Sequence, residues 1–168
     1  MQTDLTLSIG GLPPMSARGC VQELKPIAQG VFKRTINGEL IFVGNADHKY
    51  TSTIKCSDAI PLATEGLQIG TQICVGCIQL LCQKIESGTK TVVLERDVVP
   101  GSVQVFDENN QNIDDFSVEN RTIFLNNQQQ KERFVSYNPL LNMRVVSFSL
   151  LTDEWNMKSW WTLELEEV

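Results

Sequence analysis

The sequence predicts an all-β fold, an antiparallel β-sandwich or β-barrel, on three observations. Apolar residues recur mostly at alternate positions in short runs, turn residues interrupt them roughly every ten residues, and no long helical pattern is convincing. Many short strands with tight connections need a two-layer or closed architecture to bury one face of each sheet.

Near the start, Leu5, Leu7 and Ile9 alternate with Asp4, Thr6 and Ser8, and Gly10-Gly11 with Pro13-Pro14 ends the strand. Arg18 to Leu24 reads as a second strand, stopping before Pro26. Residues 31–36 and 39–43 flank Asn37-Gly38, which predicts a β-hairpin on a type I′ turn with positive φ at both central residues. Tyr50 to Cys56 is rich in β-branched Thr, and Thr71 to Ile85 is bounded by Gly70 and Ser87-Gly88; both read as strands. Around Leu80 the 3,4 spacing of Ile78, Leu81, Cys82 and Ile85 leaves a helix as the alternative.

Thr91 to Leu94 and Ser102 to Phe106 are short strands separated by Pro100-Gly101. Asp107 to Asp115 is turn-rich with Asn109-Asn110 at its centre, Ile123 to Leu125 is again a strand, and Asn126 to Arg133 is a polar loop. Residues 88–133 are a candidate inserted β-meander, with 1–87 and 134–168 forming the main β domain. At the C-terminus, Arg144, Val146, Phe148 and Leu150 are expected on one face and Met143, Val145, Ser147 and Ser149 on the other. Trp161, Leu163 and Leu165 alternate with Thr162, Glu164 and Glu166, and Thr152 to Met157 connects the two strands.

Composition narrows the function classes. The 168 residues carry 20 acids and 14 bases. Residues 101–168 hold eleven of the acids against five bases, so the net negative charge sits in the last third. A negative chain without a basic stripe is a poor binder of phosphate backbones, so no sequence-specific nucleic acid is expected as partner. No apolar run approaches the ~20 residues of a membrane span and no signal-peptide pattern opens the chain, which predicts a soluble protein without a membrane partner.

The chemistry-bearing residues converge on no reaction. Cys74 and Cys77 have metal-knuckle spacing, with Cys56, Cys82 and His48 in reach along the sequence, but a zinc site needs a second close pair, and three positions along a strand point to opposite faces. They read as small apolar core residues in a reducing compartment. His48 is the single histidine, in the polar run Asn45 to Lys49, and no nucleophile-elbow motif accompanies it. The doublets Asp114-Asp115, Asp153-Glu154 and Glu166-Glu167 fit no calcium loop. No enzyme, no cofactor and no metal are expected. Trp155, Trp160 and Trp161 fall within seven positions, and Trp160 and Trp161 must face opposite ways, so one of them meets a second layer or a partner chain.

Several ordered blocks carry a resemblance. Arg18-Gly19-Cys20-Val21-Gln22-Glu23-Leu24-Lys25-Pro26-Ile27, Lys33 to Leu40 and Lys49 to Asp58 follow one another at close intervals. Tyr137 to Val145, Thr152 to Trp155 and Trp161 to Val168 end the chain. Together, over residues 17–82 and 134–168, they resemble small virion proteins encoded among the tail genes of tailed bacteriophages. The resemblance implies a structural role in the tail or baseplate, in several copies forming a hexameric or trimeric ring, in contact with other tail or baseplate proteins. It also implies a virion location after synthesis in the host cytoplasm. Residues 88–133 depart from it. On this reading the contact candidates are Trp155, Trp160, Phe148 and Arg144 near the C-terminus, with Arg34, His48 and Tyr50 around the first hairpin. Two other roles compete: a completion or terminator ring at the head-to-tail joint, and a carbohydrate-binding β-sandwich module using Trp155 and Trp160 as stacking platforms.

Overall fold

The computed structural model describes residues 3–45, 48–126 and 132–168. Among them are fifteen strands and no helix. They are β1 (Thr6–Leu7), β2 (Val21–Pro26), β3 (Gln29–Arg34), β4 (Leu40–Asn45), β5 (Tyr50–Asp58), β6 (Gln72–Gly76), β7 (Leu81–Ile85) and β8 (Thr91–Val93). The rest are β9 (Asp97–Val98), β10 (Gln104–Asp107), β11 (Phe116–Glu119), β12 (Thr122–Leu125), β13 (Arg133–Tyr137), β14 (Pro139–Asp153) and β15 (Lys158–Glu167). The fold is all-β and its sheets are antiparallel. Among the described residues no sheet closes into a barrel.

The largest sheet has seven strands, ordered β1-β6-β14-β15-β5-β2 with β9 beside the start of β14. Period-two alternation decides its faces: Trp161, Leu163 and Leu165 of β15 are buried while Glu164 and Glu166 are exposed. Ile54, Ile73, Val75, Leu141, Met143 and Val145 share that buried face. Its cover is irregular chain rather than a second sheet, contributed by Leu12 and Ala17 from one segment and Leu62 and Leu67 from another. Polar contacts hold this cover in place. The Trp161 indole N–H donates to the Ser16 carbonyl at 2.7 Å, and Arg18 donates to the Asp58 carboxylate from its backbone at 2.9 Å and its guanidinium at 2.7 Å.

A second cluster lies between two three-stranded sheets, β10-β13-β7 and β11-β12-β8, and comprises Ile85, Val92, Leu94, Val105, Ile123, Leu125, Val135 and Tyr137. Residues 88–133 therefore share their packing with the flanking strands β7 and β13. Strands β9, β11 and β13 had no expectation in the sequence.

Four sequence expectations change. The Asn37-Gly38 turn is not type I′. Gly38 has φ 82° while Asn37 is not in the positive-φ region, the Gly38 amide donates to the Thr35 carbonyl at 2.9 Å, and the Thr35 amide donates to Glu39 O at 2.9 Å. These bonds describe a type I turn closed by a left-handed glycine, in a longer loop. The expected strand from Thr71 to Ile85 breaks at Cys77–Leu80, because buried Gln22 captures the amides of Ile78 and Gln79 at 2.8 and 3.2 Å, and its halves enter different sheets. The second strand begins at Val21 and runs through Pro26, which an edge strand tolerates because its outward side needs no amide donor. Finally, β14 and β15 slip register between Val145 and Ser147, so Phe148 lies on the core side with Met143 and Val145 instead of with Arg144. Most of the polar loop expected at Asn126–Arg133 falls outside the described residues, and Arg133 itself opens β13.

Candidate functional site

The hairpin β3–β4 forms a sheet of its own. Cross-strand partners share a face, so Phe32, Phe42, Arg34 and Leu40 lie on one side and Val31, Val43, Lys33 and Ile41 on the other. Apolar groups therefore occupy both faces, and none of them belongs to either buried cluster. Phe32 remains 69% exposed although its ring packs against Phe42 at 5.2 Å. The Phe42 ring also fills the space above Gly30, where a Cβ would come within 2.7 Å of the Gly44 Cα. Arg34 lies at the ribbon's outer end, donating to the Gly38 carbonyl at 3.0 Å.

The β14–β15 hairpin carries two features at its opposite ends. At the turn, the Asp153 carboxylate accepts the amides of Trp155 and Asn156 at 3.0 and 3.2 Å and the Asn156 side-chain amide at 2.6 Å. Those bonds, the side-chain one foremost, hold the Asp153 carboxyl below its usual range. The ordered turn presents Trp155, 95% exposed, beside exposed Met157 and Leu151. Trp160 is half-buried on the sheet's outer face, opposite Leu151 and Ser57. The buried partner of the tryptophan pair is Trp161.

At the far end, a cavity of about 530 Å³ is lined by Lys49, Ile69, Gly70, Arg144, Val145, Val146, Glu166, Glu167 and Val168. The bulge builds it: Val146 is the extra residue between Val145, which pairs with Leu165, and Ser147, which pairs with Glu164. Among the described residues neither Lys49 nor Arg144 forms an ion pair, although Arg144 stands opposite Glu166 in register.

Beside this cavity Glu167 is a structural anchor. It accepts the Tyr50 amide at 2.8 Å and the Arg96 guanidinium at 3.0 and 3.2 Å. Arg96 also covers the Tyr50 ring at 4.7 Å and donates to the His48 carbonyl. Burial lowers the Arg96 pKa, but the Glu167 hydrogen bonds and charge outweigh it and leave the group above its usual value. The sequence pointed to His48, Tyr50 and Arg144, which the structure gathers at this end of the sheet, but not to Arg96 or Glu167. Arg96 sits in a charged triplet with no pattern of its own, so no sequence signal could have found it.

The remaining expected contact residues are dispersed. Phe148 packs partly buried on the first cluster, Arg34 sits on the separate ribbon, and Trp155 and Trp160 lie toward the hairpin turn. His48 is exposed in a left-handed conformation with φ 52°, while Ala46 and Asp47 of its polar run lie outside the described residues. Cys77 is buried in the first cluster and Cys74 lies half-buried on the opposite face. Among the described residues no three His, Cys, Asp or Glu side chains gather into a metal-binding group, and no helix is long and apolar enough to cross a membrane. No protein-family model matches the chain, and no curated protein matches it either.

Proposed function

We propose that the chain is a structural subunit of a tailed-phage tail or baseplate, assembling with copies of itself into a ring and docking on neighbouring tail proteins. The observation that carries this reading is the β3–β4 ribbon. A two-stranded hairpin is marginally stable in water. This one nevertheless exposes Val31, Phe32, Ile36, Leu40, Ile41 and Val43. Each such side chain contributes about 1.5–3 kcal/mol when fully buried, so a partner surface that covers the ribbon supplies the stability it lacks alone. The tail-protein resemblance includes this turn, from Lys33 to Leu40. Exposed apolar side chains on both faces suit an arm clamped between neighbours rather than one laid on a single surface.

Electron cryo-microscopy of an intact particle tests the proposal, with the chain expected as repeated density in a ring of the tail or baseplate. Its absence from purified particles would defeat the reading. A paired substitution, Phe32→Asp with Ile41→Asp, is expected to keep the circular dichroism of the body and to abolish incorporation.

A further inference from the structure

Resting on the ring reading, we propose that the Trp155 turn of one copy inserts into the Lys49/Arg144 cavity of the next. The two features match in size, apolarity and charge. A tryptophan buries about 150–250 Å² and needs a concave, largely apolar seat. The 530 Å³ cavity offers Ile69, Val145 and Val146 as walls. Ile69 and Val146 are exposed, as are Trp155, Met157 and Leu151 on the turn.

Charge agrees with this pairing. The turn carries Asp153 and Glu154 against Lys158, a net negative charge. Counted by side chains, the cavity carries Lys49 and Arg144 against Glu166, while Glu167 is paired with Arg96. Lys or Arg over an indole face adds a cation–π attraction.

Geometry excludes the turn of the same subunit as the occupant. From Arg144 to Asp153 the strand β14 runs continuously, about 30 Å at the rise of an extended chain. The turn therefore cannot fold back into the cavity of its own subunit. A knob at one end and a seat at the other form a heterologous contact, which propagates head to tail and closes when the rotation per subunit permits. One tryptophan covers only part of the roughly 800 Å² per partner of a stable interface. The contact thus sets register and adds to the ribbon's area.

Sedimentation of the purified full chain, followed by dilution, reads the contact. Trp155→Ala and Lys49→Glu with Arg144→Glu are each expected to raise the concentration for half-assembly by tenfold or more. Reversing the turn as well, with Asp153→Asn and Glu154→Lys, is expected to restore assembly of the Lys49→Glu, Arg144→Glu chain. Rings that persist unchanged in the Trp155→Ala and cavity variants overturn this contact while leaving the ring reading intact, whereas a wild-type chain that is monomeric throughout defeats both. Glycan-array binding that is lost in Trp155→Ala, with unchanged ring mass, would assign the turn to a carbohydrate instead.

Discussion

Gln22 shows how one buried polar side chain directs the path of the chain. Its amide oxygen takes two backbone donors at the Cys77–Leu80 break and its nitrogen donates to Ser52 at 3.0 Å. Gln22→Leu is expected to cost about 1–3 kcal/mol in urea unfolding, because the Ile78 and Gln79 amides lose their acceptor and the buried Ser52 hydroxyl loses its donor. Trp161→Phe, which leaves the Ser16 carbonyl without its indole donor, should cost about 2 kcal/mol on the same measurement. Asp58 gives a pH signature. Hydrogen bonds from Arg18, opposed by burial and helped by backbone donors, hold its carboxyl well below the usual range. Stability from this group is complete above the unfolded carboxylate pKa and is lost as pH falls through the depressed folded value. Melting curves between about pH 5 and pH 2 should therefore decline more steeply for wild type than for Asp58→Asn. Among the cysteines, burial pushes the Cys77 thiol up to about 11, whereas Cys82 is exposed. Iodoacetamide followed by mass spectrometry should label Cys82 in the native protein and Cys77 only after unfolding.

At the scale of elements, alternation made the β14–β15 pair legible: the buried face of β15 follows directly from Trp161, Leu163 and Leu165. The same rule misplaced Phe148, because a single inserted residue at the bulge reverses parity and leaves no mark in a run as uniformly β-forming as Arg144 to Leu151. The first hairpin was readable from Asn37-Gly38, yet its turn type was not, since that dipeptide also suits a left-handed glycine closing a longer loop. Tyr50, His48 and Arg144 were legible as polar or aromatic residues of this region, but Arg96, which joins Tyr50 and His48, was not. Arg96 and Glu167 lie 71 positions apart, a pairing no local pattern encodes. The ribbon depends on its glycine pair: Gly30→Val, whose side chain would collide with Gly44 and Phe42, should open β3–β4. Limited proteolysis within residues 29–45 is expected to accelerate while the thermal transition of the body stays within a few degrees of wild type.

At the scale of the whole molecule, the described residues form two buried clusters, and the β3–β4 ribbon and the β14–β15 turn both project exposed apolar side chains. Exposed apolar ribbons and unpaired strand edges favour association, and a closed ring satisfies them without open-ended growth. The acidic excess of residues 101–168 disfavours DNA binding, which fits the tail subunit proposed above. Analytical ultracentrifugation of the purified chain at about 10 µM is the most direct test of assembly, in the concentration range where contacts of standard size are populated. A single species with the mass of a closed trimer or hexamer, which the Phe32→Asp, Ile41→Asp chain fails to form, is the expected result; a monomer unchanged by concentration would contradict the assembly reading.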